Sequence, residues 1–105
     1  MTAKEFITGL PEKVNPAVLE GVQTNFHFDI EGEGGGQFSV IVEGGKVAVK
    51  EGFEGEAKCK VSAKADNLMG VVKGDINPMM AVLTGKVKIS NQAEMLKYAK
   101  IFGLM

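Results

Sequence analysis

The chain has little of what most enzyme chemistry requires: one cysteine, Cys59, and one histidine, His27, in 105 residues. A single thiol cannot form an internal disulfide, and one thiol with one histidine cannot complete a four-ligand metal site. Net charge is nearly absent too, with 12 basic against 13 acidic side chains. There is no basic block or arm, so these totals offer no field to recruit a phosphate backbone or an anionic membrane surface, and nucleic-acid binding is not expected. Long apolar runs are also missing. Nothing approaches the ~18 residues of a membrane span. The start of the chain carries Lys4 and Glu5 where a signal peptide would have an uninterrupted apolar stretch. The expectation is a cytoplasmic chain with no stable membrane insertion, no metal and no cofactor.

What is present is ordinary for a globular protein: 45% hydrophobic and 24% charged residues. A chain of this length reads as a single domain, 1–105, burying roughly two-thirds of the surface its unfolded form exposes. Thr2 and Glu5 form a capping-box pattern before a short helix that Gly9 and Pro11 end. Asn15-Pro16 starts a second short helix, which Gly21 stops. The period then changes to two. Val22, Thr24, Phe26, Phe28 and Ile30 share one strand face, and Phe38, Val40 and Val42 resume the alternation after the glycine-rich tract 31–37. Gly44-Gly45 is a hairpin turn into a third strand bearing Val47 and Val49. Ala57, Cys59, Val61 and Ala63 alternate with Lys58, Lys60, Ser62 and Lys64, which predicts a fourth strand with a lysine-lined wet face.

Asp66 is the expected cap of a helix that Gly74 ends, and Asn77-Pro78 restarts a helix that Gly85 ends. Residues 86–90 predict a fifth strand. Asn91 then caps a last amphipathic helix with Met95, Leu96, Ala99 and Phe102 on its apolar stripe. Three hairpin-linked strands imply a largely antiparallel sheet with helices on its apolar face, an α+β fold. The last strand follows a helical crossover, so its pairing could be parallel.

The polar residues form no convergent site. Asp29, Glu31 and Glu33 lack calcium-loop spacing and read as a solvated turn. The tract 32–36 opens a strand rather than a helix and lacks the Lys-Ser or Lys-Thr of a phosphate loop, so it reads as a hairpin connection. His27 lies on the polar parity of its strand and reads as a surface histidine. Cys59 has apolar parity and reads as a buried structural thiol. The methionines Met69, Met79, Met80 and Met95 fall on helices facing the sheet. By pattern they read as core, although methionine also suits surfaces that adapt to variable ligands.

The segment 57–102 resembles the sterol carrier protein 2 domain, also called the nonspecific lipid-transfer domain. The resemblance is carried by Cys59-Lys60-Val61-Ser62, by Asp66 before Leu68-Met69, and by Val72-Lys73-Gly74-Asp75-Ile76-Asn77-Pro78. It continues through Ala81, Gly85-Lys86-Val87-Lys88-Ile89-Ser90 and the closing helix. The resemblance implies a five-stranded, mostly antiparallel sheet covered on one face by helices, with an apolar cavity between the layers. It also implies non-catalytic binding or transfer of a fatty acid, acyl-CoA, phospholipid or sterol. With that family in view, Leu68, Met69, Val72, Met79, Met80, Leu83, Ile89, Met95, Leu96, Ala99 and Phe102 become the expected cavity wall, with the last helix as a lid. Any enzyme partner would be a separate polypeptide, and the expected state is a monomer or weak homodimer. The chain's final residues, 102–105, are not the peroxisomal address of many eukaryotic relatives. A second reading is a scaffold or protein-interaction domain with a filled core that uses its C-terminal amphipathic helix on a partner.

Overall fold

The computed structural model describes residues 1–98 and Ile101. Its five strands are β1 (Thr24–Glu31), β2 (Gly36–Glu43), β3 (Lys46–Glu51), β4 (Cys59–Lys64) and β5 (Val87–Ile89), in the spatial order β3-β2-β1-β4-β5. Three of the pairings are antiparallel, and β1 pairs with β4 in parallel. The parallel partner is thus the fourth strand. The fifth, for which the sequence left a parallel pairing open, runs antiparallel to β4.

Period-two alternation places the inner face as expected. Phe26, Phe28 and Ile30 of β1 lie opposite Val40, Phe38 and Gly36 on one side and Cys59, Val61 and Ala63 on the other. Ile89 and Val87 continue these rows beside Val61 and Ala63. Gly44 and Gly45 have φ of 58° and 74°, the positive values that a two-residue hairpin matched to strand twist requires.

The helices cover this inner face. α1 (Ala3–Thr8) opens with the full capping box: Glu5 N–H donates to Thr2 Oγ1 at 3.1 Å and Thr2 N–H to Glu5 Oε1 at 3.0 Å. Pro11 does not end the helical region. It sits in the first turn of α2 (Leu10–Lys13), where a missing N–H costs nothing. Asn15-Pro16 starts only a 3₁₀ turn, Pro16–Leu19, because Gly21 follows too soon for an α-helix to propagate. α3 (Ala65–Lys73), α4 (Pro78–Leu83) and α5 (Gln92–Tyr98) complete the layer. Asp66 is not the cap of α3. The strand runs directly into the helix at Lys64, which leaves Asp66 in the first turn, favourable there for its charge.

The other sheet face shows the larger departure. β3 is an edge strand and β4 lies beyond β1, so the segment 52–58 must cross over β2 and β1. It does so on the outer face, fastened by side chains of the strands beneath. Ser39 Oγ donates to Gly52 O at 2.7 Å and accepts from Glu54 N–H at 2.8 Å. Asn25 Nδ2 and His27 Nε2 both reach Glu54 O, at 2.8 and 2.9 Å. His27 also stacks flat on Phe53, with ring centroids 4.8 Å apart. His27 is therefore buried rather than a surface residue, at 7% exposure. Parity gave the correct face, but the crossing segment turned that face into interior.

Ser39 is fully buried and satisfies two backbone groups of the crossover. Ser39→Ala is expected to destabilise the fold by about 1–3 kcal/mol, since it leaves a buried amide and carbonyl unpaired. Urea unfolding measures this.

Candidate functional site

The inner face is unevenly filled. Phe26, Phe28 and Phe38 load the β1–β2 part, and together with Ile7, Leu10 and Leu19 they are fully or almost fully buried. The β4–β5 part offers only smaller side chains, Cys59, Val61, Ala63, Val87 and Ile89. Helices crossing from one part to the other cannot close fully over the smaller side chains. The space left there is a cleft of about 230 Å³ between β4–β5 and the helices α3, α4 and α5.

Its floor is Val61, Val87 and Ile89; Leu68 and Val71 of α3 form one wall, and α4 contributes Pro78, Met79, Val82 and Leu83. Met95, Leu96 and Gln92 of α5 face them, and among the described residues Gln92 is the one polar side chain of the lining. The deep end is dry: Leu68 and Met95 are buried. The rim is exposed apolar surface, with Met79 at 65%, Leu83 at 76% and Leu96 at 60%. Asn77 holds the start of α4, its Oδ1 accepting from Met79 N–H at 2.9 Å and Met80 N–H at 3.3 Å. Gly70 holds the α3–α4 junction tight, because an added Cβ would meet Ile76 Cδ1 at 2.5 Å.

Of the residues expected to form the wall, Leu68, Met79, Leu83, Ile89, Met95 and Leu96 come together on the cleft. Met69 does not; it is buried in the core away from it. Val72 packs partly buried against the core, and Met80 is exposed on α4 without lining the cleft. Ala99 and Phe102 lie outside the described residues. Sequence reasoning missed Val61, Val71, Pro78, Val82, Val87 and Gln92. Strand parity marks Val61 and Val87 as inward. The helical residues had no such signal, because six to nine residues carry too few turns to phase a stripe.

The base of α5 is fixed by a polar cluster. Glu94 N–H donates to Asn91 Oδ1 at 3.1 Å, and Asn91 Nδ2 donates to Lys58 O at 3.2 Å. Thr24 Oγ1 donates to Glu94 Oε2 at 2.7 Å in a buried contact, and Lys97 Nζ lies 3.9 Å from Glu94 Oε1. The Tyr98 ring meets Phe26 edge-on at 5.9 Å. Cys59 Sγ is 3.4 Å from Asn91 O. Burial pushes its thiol pKa up, against the lowering effect of its hydrogen-bond partners, so the group stays protonated and unreactive. Among the described residues, no titratable side chain lines the cleft. Among the described residues there is no group of three His, Cys, Asp or Glu placed to hold a metal, and no helix long and apolar enough to cross a membrane. The arrangement can enclose an apolar group and offer one amide at its edge.

Comparison with known proteins places this geometry. The model of the SCP-2 sterol transfer family matches residues 3–102. Among solved structures, a stereoselective inverting sec-alkylsulfatase from Pseudomonas sp. superposes with a TM-score of 0.78 at 17% identity, over 100% of this chain and 16% of that one. The chain therefore spans about a sixth of that protein. Sterol carrier protein domain 2 of Helicoverpa armigera matches with a TM-score of 0.73 and 18% identity, covering 94% of this chain and 81% of that one. The palmitated sterol carrier protein 2 like 2 of Aedes aegypti gives 0.71 and 18%, covering 97% and 95%. A search of curated protein sequences finds no significant match.

Thr24→Val removes the buried donor to Glu94 at nearly constant volume. It is expected to cost about 1.5–3 kcal/mol, the range for hydrogen bonds to charged groups. Hydrogen exchange of α5 amides should rise more than that of β1 amides; equal loss in both would mean the contact serves the whole fold rather than the helix.

Proposed function

This chain belongs to the SCP-2 sterol transfer family, and on that premise we propose that it is a non-catalytic carrier holding one lipid acyl chain in the cleft beneath α3, α4 and α5. The observation that carries this reading is a cleft of about 230 Å³ whose lining, among the described residues, is apolar except for Gln92. Leu68, Ile89 and Met95 would contact the inner part of the chain, and Met79, Leu83 and Leu96 the part near the mouth. Gln92 would meet the polar end, and α5 would act as the lid. A catalytic role finds no support in the lining, which among the described residues holds no nucleophile, acid or base. The scaffold reading with a filled core finds none either, because this end of the core is not filled.

Size favours a slender ligand. The volume exceeds the roughly 150 Å³ of an apolar cavity that holds benzene but falls below the roughly 300–1,000 Å³ of most small-molecule pockets. A single flexible chain fits by threading between methionine and leucine side chains that adapt their rotamers. A rigid fused-ring sterol would have to displace α5. The palmitated relative agrees with the first occupant. Left empty, the void costs at most about 5.5 kcal/mol on the scale of roughly 24 cal/mol per Å³ for engineered cavities, less here because the rim is open to water. Occupancy would recover much of that cost, so the protein is expected to be isolated with bound lipid.

Native mass spectrometry before and after solvent extraction tests for that lipid, and titration with a fluorescent fatty acid tests binding. Palmitate should compete at least about tenfold better than cholesterol, a difference of ~1.4 kcal/mol. Leu83→Asp places a charge at an exposed rim position and should weaken binding by a similar factor while unfolding stability stays within about 0.5 kcal/mol. A delipidated protein that shows no saturable binding of fatty acid would overturn the reading.

A further inference from the structure

Among the described residues, the cleft is shut on its inner sides and open along its rim. Its floor residue Val61 lies in register beside Phe28 of β1, itself fully buried, so the phenylalanine row ends the cleft toward the middle of the sheet. The Tyr98 ring, edge-on to Phe26, ties α5 to β1 on the same side. At the α3–α4 junction Ile76 fills the space against Gly70. Leu68 and Met95, both buried, form the blind end, whereas Met79, Leu83, Leu96 and Gln92 stand exposed at the mouth.

A space closed on the inside and fixed in volume sorts chains by length. An apolar cavity of roughly 150 Å³ takes the six carbons of benzene, about 25 Å³ for each. On that scale the 230 Å³ here takes about nine carbons, and a methylene given the ~30 Å³ share of a liquid water molecule makes it about eight. On the reading of the cleft as an acyl-chain site, we propose that it gauges chain length: it is filled by medium-chain acyl ligands of about eight to nine chain carbons, with Leu68 and Met95 as the stop.

The methyl end enters first, because the blind end is dry and the polar lining residue, Gln92, stands at the mouth. Each methylene that leaves water for the closed part of the cleft raises affinity about fourfold. Once the cleft is full, further carbons lie against Met79, Leu83 and Leu96 with water on their other side and gain far less. They also carry the polar end past Gln92, so a longer chain gives up that contact. Palmitate would leave nearly half its carbons outside. The stop is made of side chains rather than backbone: Leu68 reaches in from α3 and Met95 from α5, so their size sets the length that fits.

Competition of saturated fatty acids of six to sixteen carbons against a fluorescent fatty acid, on the delipidated full chain and below micellar concentrations, tests this. Affinity should rise about fourfold per methylene until eight or nine chain carbons are in place, then by less than about 1.5-fold per methylene. Leu68→Ala takes three carbons from the blind end and should move the break to longer chains by about two carbons. Truncating a buried leucine also weakens the fold, so Ile89→Phe is the second variant: it grows from the half-buried floor into the empty space and should move the break to shorter chains by about two carbons. A rise that continues at about fourfold per methylene to palmitate overturns the length gauge and leaves the carrier reading standing. A break that Ile89→Phe does not move, with affinity lowered equally at every length, also overturns the gauge. Absence of saturable binding at any length sinks the carrier reading and the gauge with it.

Discussion

Insertion of β4 beside β1, in parallel, is the constraint on which the rest of the structure depends. Once β3 is an edge and β4 lies across β1, the intervening seven residues must cross the outer sheet face, and the polar side chains there become their fastenings. The same pairing brings the small inward residues of β4 next to the phenylalanines of β1. It also lets β1 reach forward in sequence: Thr24 at its start holds Glu94 of α5, seventy residues away. One strand thus anchors both the cover of the outer face and the α5 side of the cleft.

The cleft follows from a mismatch of side-chain size rather than from a specialised element. Interiors pack to crystal-like density, so a row of phenylalanines beside a row of valines and alanines sets the helix layer at a height that the smaller row cannot meet. Of the three helices over the gap, α4 is the shortest, with six residues. α4 buries only Ala81; its start is held by the Asn77 cap, and it packs against α3 and β5. An element with so few buried contacts belongs to the low-stability end of a fold.

Charge tells a related story about totals and places. A net charge of −1 predicts no long-range attraction. The basic residues nevertheless fall in the half of the chain that builds the cleft, and the acidic ones fall in the half that builds the opposite edge of the sheet. The charge distribution is therefore dipolar across the sheet although its sum is close to zero.

Much was legible in the sequence because it is encoded locally. Glycine turns, the Thr2–Glu5 box, the Asn77 cap and period-two alternation depend on residues within a few positions of each other, and they delimit five strands and a helical layer. The segment around Asn77-Pro78 and Gly85 carried the family resemblance for the same reason. What required the tertiary structure was every relation between distant residues: which strand neighbours β1, whether His27 meets water or Phe53, and which side of α4 faces the sheet. A helix of six residues cannot declare its buried face, since Met79 and Met80 look alike until the strands below are in place. By itself the sequence determined the elements and the apolar character of the second half; only the tertiary structure decided that Met79 borders a cleft while Met80 and Lys86 face outward, because packing over the small residues of β4 and β5 orients those helices.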